Sequence, residues 1–324
     1  MKNRKLLGNL LLLLTAMIWG TAFVAQRVGM DSIEPITFNA ARMWLAAVAI
    51  GSAAFLTRRN RQNNRQKRQM PKDSEKQINA GGAAGAVTGL GEPAQERRRN
   101  TVIGGICCGC FLTAASLFQQ MGIVYTTAGK AGFITALYML FVPILSFILF
   151  KKKNTWLVWT GVLIGVFGMY LLCITDGFSL TYGDTLVCIC ALLFSGHILC
   201  CDHFVRLGNP LFISAIQFTT VAVISSVAAF IAEEPSWQKV ISAAIPILYC
   251  GIVSGGIGYT LQMIAQKYTD PTIASLLMSL ESVFAVIAGA LLLGERMTAR
   301  ELAGCIIMFA AIVLVQIPLP SRRR

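Results

Sequence analysis

Charge is what this chain has least of: Asp, Glu, Lys and Arg make up 13% of its 324 residues, about half the share usual in soluble domains. That shortage argues against an ordinary water-soluble enzyme. Several diagnostic motifs are missing as well. No G-x-x-x-x-G-K-S/T run occurs, so intrinsic ATP-driven pumping has no phosphate-cradling loop. No G-x-S-x-G surrounds Ser195 or Ser254, which leaves a nucleophile elbow without support. The opening MKNRKLLGNLLLLLTAMIWG has the basic start and Leu-rich core of a signal peptide, yet its apolar run continues through Val24 with no A-x-A site. It is expected to remain as an uncleaved first helix.

Apolar surface is abundant instead: 55% of residues are hydrophobic and the mean hydropathy is +0.64. Apolar segments fall at about 7–27, 35–57, 101–122, 129–150, 155–175, 183–201, 210–232, 243–266, 271–293 and 299–317, each near the roughly 20 residues that cross a bilayer as a helix. The expectation is an all-α integral membrane protein of ten transmembrane helices. Cysteines such as Cys107, Cys108, Cys190, Cys200 and Cys250 lie within these runs, where they read as small hydrophobes and not as a disulfide framework. The net charge of +13 sits beside the spans: Lys2, Arg4 and Lys5, then Lys151 to Lys153, then Arg322 to Arg324. Residues 58–100 add eleven Lys/Arg against four Asp/Glu. Basic flanks mark the cytoplasmic side, and the 58–100 stretch, with its Gly/Ala run, is expected to be a disordered cytoplasmic loop against anionic lipid headgroups.

The two halves repeat. Adding 175 takes Gly8 to Gly183, Ala16 to Ala191, Pro35 to Pro210 and Ala53-Ala54-Phe55 to Ala228-Ala229-Phe230 without a gap. Adding 143 takes Gln119 to Gln262, Tyr125-Thr126 to Tyr268-Thr269, Phe141 to Phe284 and Gly161 to Gly304. The repeats are residues 7–175 and 181–317. Five helices is an odd number, so the second copy enters the membrane from the opposite side. The charges agree, because Lys151-Lys152-Lys153 aligns with Gly294-Glu295-Arg296, nearly neutral and expected outside. Both termini are expected in the cytoplasm, and the membrane is expected to be the plasma membrane. Inverted repeats are the recurring construction of secondary transporters.

The residues also resemble a family. WGTAF at Trp19 to Phe23, the Pro35 to Arg42 spacing, ITALYMLFVPILSFILF, its partner SLLMSLESVFAVIAGALLLGE and the Gly161 and Gly304 helices are similar to the two EamA-type domains of the drug/metabolite transporter superfamily. The resemblance implies a ten-helix carrier of small metabolites, amino acids or drugs, often an exporter, with helices 5 and 10 peripheral to an eight-helix core. Ser282 stands where such proteins commonly have proline, which implies a straighter ninth helix.

Polar groups inside spans are functional candidates, since burying them costs free energy. Glu281 lies about eleven residues into its helix, roughly 16 Å at 1.5 Å per residue; its repeat partner is Tyr138. Glu281 either carries a coupled proton, pairs with a cationic group, or ties helices together. Arg42 either snorkels or pairs with substrate or a neighbouring helix. Trp19, aligned with Phe194, suits a cavity wall or core packing. His197, Asn39 and Gln217, and the repeat-related amides Gln119 and Gln262, suit either a polar substrate or interhelical hydrogen bonds. Lys130 suits anion attraction or an interfacial lysine.

Rival readings are an intramembrane hydrolase using Ser195 or Ser254 with His197 or His203, and a flippase or exchanger of lipid-linked or nucleotide sugars on the same scaffold; few buried cations argue against nucleotide sugars. Cys200-Cys201-Asp202-His203 cannot turn four adjacent side chains toward one ion. No cofactor and no metal are expected. The expected partners are a small-molecule substrate and the bilayer, not nucleic acid, with a homodimer left open.

Overall fold

A computed structural model describes residues 2–69, 94–126, 128–173, 181–293 and 298–316, and every regular element among them is helical. The order is α1 (Lys2–Gly29), α2 (Pro35–Gln69), α3 (Ala94–Val124), α4 (Ala128–Ala136), α5 (Tyr138–Phe150), α6 (Trp156–Cys173), α7 (Tyr182–Leu207) and α8 (Pro210–Ala232). Then follow α9 (Trp237–Ser242), α10 (Ala244–Leu248), a π-helical stretch (Tyr249–Gly258), α11 (Tyr259–Gln266), α12 (Pro271–Met278), α13 (Glu281–Leu293) and α14 (Ala299–Gln316). Eight helical stretches are long and apolar enough to cross a membrane, and Trp156–Leu171 and Leu302–Val315 are shorter apolar helices.

Helix is the outcome because a chain in hydrocarbon must satisfy its backbone within each segment. The starts are written locally. Thr181 and Asp184 form a reciprocal capping box, while Asn209 and Asp270 cap helices that begin with Pro210 and Pro271. Side chains distribute opposite to a water-soluble fold. Phe230, Leu291 and Ile231 project outward, whereas Gln217, Gln262, Asn39 and Arg42 are buried. That is the pattern of a protein solvated by lipid.

Contacts follow the repeat. α3 packs on α7 and α8, just as α1 and α2 pack on the Ala244–Gln266 stretch; α1 meets α13 as α7 meets α5. α2 pairs with α8, and α6 pairs chiefly with α14 at the periphery, as the resemblance implies for helices 5 and 10. At one end of α1, Thr269 bonds Asn9 and the Lys152–Asp270 ion pair joins neighbouring loops. At the other end, Glu34 pairs with Lys239.

Three local expectations are corrected. The basic stretch from residue 58 is not wholly disordered: α2 continues to Gln69 and α3 begins at Ala94. Arg, Lys and Gln are good helix formers, and extending an existing helix needs no new nucleus. Residues 70–93 lie outside the described residues, as do Asp176, Glu295 and the terminal arginines. The fourth and ninth segments are not regular α-helix throughout. Each is interrupted by a tightened turn at the repeat-equivalent positions Leu137 and Leu280, through i→i+3 bonds from Leu140 to Leu137 O and from Ser282 to Ser279 O. At Leu280 serine hydroxyls compete with the backbone, with Ser279 donating to Leu276 O at 2.7 Å and Ser275 to Thr272 O at 2.9 Å. Arg42 does not snorkel; it is 5% exposed and bonded inside the protein.

Candidate functional site

Both interrupted helices restart at the residues singled out by depth: Tyr138 is the first residue of α5 and Glu281 the first of α13. Helix restarts of this kind, in the middle of a membrane, are where carriers place ligand-binding groups. Gly20 lets α1 reach this point. A Cβ there would lie 2.5 Å from Phe284 Cβ and 2.6 Å from the Glu281 carbonyl oxygen, so only glycine lets the helices meet at that separation.

Between the restarts and α1 lies a narrow cavity of about 30 Å³. Among the expected site residues, Trp19, Arg42, Gln119, Tyr138, His197, Gln262 and Glu281 all line it. Asn39 and Gln217 do not; they hold residues that do. Asn39 Oδ1 accepts from Arg42 Nε at 3.0 Å and Nη2 at 2.8 Å, while its amide donates to Ser116 and Ser225. Gln217 Oε1 lies 3.2 Å from His197 Nε2 and accepts its N–H. The lining also contains two residues the sequence reading passed over, Tyr259 and Gln26, the latter accepting from Arg42 Nη1 at 2.8 Å through its Oε1, together with Ser254 and Cys250, named above for other reasons. Tyr259 packs against Trp19 with ring centroids 4.6 Å apart and the planes tilted by 50°, and meets His197 edge-on. The nitrogen of Trp19 donates to Ser254 O at 3.3 Å.

Applying the two offsets to the lining gives its organisation. Trp19 pairs with Phe194, Ala22 with His197, Phe23 with Ile198, Gln119 with Gln262 and Tyr138 with Glu281, and every one of these faces the same cavity. The site therefore straddles the relation between the halves.

Its polar groups are incompletely satisfied. The hydroxyl of Tyr138, Glu281 Oε1 and both amide atoms of Gln262 are buried without a hydrogen-bond partner among the described residues. The Tyr138 phenol and the Glu281 carboxyl are close neighbours. Arg42 is held by neutral oxygens, and no ion pair among the described residues joins it to Glu281. Such groups are costly to leave unmade and fit a ligand that completes them.

The hydrolase geometry is not assembled. Ser195 donates back to Ala191 O at 2.8 Å, while the His197 ring contacts Gln217 and Cys201. Among the described residues, no group of three or more His, Cys, Asp or Glu is arranged to hold a metal ion. The Lys130 side chain lies outside the described residues.

The family model described as the EamA-like transporter family matches residues 6–174 and 181–317. The chain belongs to the EamA-like transporter family. An uncharacterized transporter of Archaeoglobus fulgidus is 26% identical over 318 residues, covering 97% of this chain and 87% of its own. A WAT1-related protein of Arabidopsis thaliana is 26% identical over 142 residues, 40% of this chain and 38% of its own. A crystal structure of a protein at 17% identity superposes with a TM-score of 0.71, covering 98% of this chain and 97% of that one, which is a likeness of fold. This EamA-like chain is thus a multi-pass membrane protein and a membrane transporter, in the drug/metabolite transporter superfamily.

Proposed function

We propose that the chain is a secondary transporter that exports a small zwitterionic metabolite of amino-acid type across the plasma membrane by alternating access. Its ten spans form two inverted five-helix repeats, residues 7–175 and 181–317, with both termini cytoplasmic. One observation carries the reading: five repeat-related residue pairs converge on a single buried polar cavity. Two similar halves that exchange conformations turn an inward-open site into an outward-open one around the same residues. The basic flanks, which would sit on the cytoplasmic side, support the orientation.

The substrate class comes from the charges. Arg42 offers guanidinium hydrogens to a carboxylate, and Glu281, with an unpaired oxygen, offers a seat to an ammonium group or to a coupled proton. Gln119 and Gln262 supply neutral hydrogen bonds, and Trp19, Phe194 and Tyr259 supply apolar wall for a side chain. A ligand bearing both charges leaves neither protein charge buried alone, which is the costly alternative.

The test is counterflow in proteoliposomes with three matched compounds: an amino acid, the amine lacking its carboxylate and the acid lacking its amine. Preference for the amino acid supports the assignment. Equal uptake of all three, or none of any, refutes it.

A further inference from the structure

The cavity is closed at the end of α1 that holds Glu34, and the closure is built from two layers. The inner layer is apolar: Ala22, Ile33, Phe38, Ala243, Ile247 and Cys250 form a separate buried cluster, and Cys250 belongs to the cavity lining as well. The outer layer is ionic. Glu233, just past the end of α8, reaches across to the start of α2. Its Oε1 accepts from the Ile36 amide at 2.9 Å, and its Oε2 accepts from the Thr37 amide and hydroxyl at 2.7 Å each. Glu34 beside it pairs with Lys239 of α9. A helix start has amide hydrogens without intrahelical partners and a positive dipole end, so a carboxylate from another helix is a fitting clamp.

Among the described residues, the opposite end of the molecule lacks this clamp. Under the offset of 175, Glu233 corresponds to Arg58 and Glu34 to Asn209. An arginine cannot accept from amides, and the start of α8 is instead capped by its own Asn209, whose side chain accepts from the Leu211 amide at 3.2 Å. The Asn209 amide finds a neutral partner in Thr101 Oγ1 at 3.1 Å. The same location in two related halves thus carries a charged tie between α2 and α8 on one side of the membrane and, among the described residues, none on the other.

We propose that Glu233, seated on the start of α2 and seconded by the Glu34–Lys239 pair, is an outer latch that must release before the cavity opens to the exterior. The proposal rests on the alternating-access reading and its orientation. The latch is a tie between halves, since α2 belongs to the first and α8 to the second, and these are the helices that meet directly across the repeat relation. Its release frees the end of α8 and the start of α9 from the start of α2 and uncovers the apolar cluster of Phe38, Ile247 and Cys250.

Cys250 is a built-in reporter, buried in this cluster at 1% exposure. In intact cells, a membrane-impermeant maleimide added outside is expected to modify Cys250 slowly in the native protein and about tenfold faster in Glu233→Gln, the ratio that 1.4 kcal/mol sets. Modification is read by mass at that cysteine alone. A Thr37→Cys/Glu233→Cys pair, oxidised to a disulfide by copper phenanthroline, is expected to suppress both Cys250 modification and transport, with reductant restoring each. Equal Cys250 modification in native protein and Glu233→Gln, or full transport by the crosslinked pair, overturns the latch. Trp237→Cys, on the exposed face of α9, separates the two readings. Its labelling in intact cells supports the orientation, while labelling only in inverted vesicles removes the outer assignment altogether.

Discussion

Replacing Glu281 by Gln removes one negative charge from the cavity and keeps the size and hydrogen-bonding shape of the side chain. The carboxylate is 3% exposed and its Oε1 has no partner among the described residues, so a bound ammonium group is the partner it lacks. A hydrogen bond to a charged group contributes about 1.5–3 kcal/mol against about 0.5–1.5 for a neutral one. The difference, about 1–2 kcal/mol, corresponds to roughly a 5- to 30-fold weaker interaction. Counterflow in proteoliposomes measures it: Glu281→Gln is expected to lose that factor for an amino acid and little for the deaminated acid. The pH dependence of transport is expected to flatten if the same carboxylate carries a coupled proton. Folding is expected to hold, because burying an amide costs less than burying a charge, so the melting temperature in detergent stays level or rises. Unchanged transport of the amino acid with unchanged pH dependence would refute both roles of Glu281.

Other outcomes follow from the same geometry. Arg42→Lys keeps the charge but loses the planar fork that bonds Asn39 and Gln26 together, so substrate affinity is expected to fall about tenfold or more in a binding titration, with the carboxylate-free amine unaffected. Gly20→Val drives a side chain into Phe284 and the Glu281 carbonyl; a loss of roughly 1–3 kcal/mol is expected, read as a lower melting temperature in detergent. Lys239, bonded to Glu34, holds that carboxyl below the usual carboxylate range, so the ion pair is fully present above that range and is lost as pH falls through the lowered value. Glu233 and Glu234 also face Lys239. Acidification below about pH 4 is expected to lower the melting temperature in detergent of the native protein, and to do so less in Glu34→Gln, which has no pair left to lose.

Much of this architecture was legible in the residues. The apolar segments set the helices, and the two offsets alone pair Gln119 with Gln262 and Tyr138 with Glu281. Depth arithmetic found Glu281 because a helix advances a fixed distance per residue. Gln26 was missed because its repeat partner is Cys201, so no matching amide drew attention to it, and Tyr259 because it ends a glycine-rich run and aligns with Ser116. The turns at Leu137 and Leu280 have no proline or glycine at the break. At Leu280 serine hydroxyls compete for backbone carbonyls; at Leu137 no serine is present, and a linear pattern does not record the interruption. The helical course of residues 58–69 was hidden by a composition that suits a loop and an extended helix equally. Asn39 and Gln217 were chosen correctly as buried polar residues, but only the fold separates a group that faces the cavity from one that steadies its neighbour.

The π-helical stretch from Tyr249 to Gly258 has no counterpart in α3, where the equivalent residues form ordinary α-helix. It is stitched to α1 by hydrogen bonds from Thr15 to Gly258 O at 3.3 Å, from Trp19 to Ser254 O and between the hydroxyls of Thr21 and Tyr249. Wide turns of this kind are rare and tend to collect at functional sites. If the halves were chemical duplicates, an empty carrier would dwell equally on each side of the bilayer. With one half widened and sewn to its neighbour and the other not, a carrier working by the proposed alternating access would rest unloaded on one side in preference to the other.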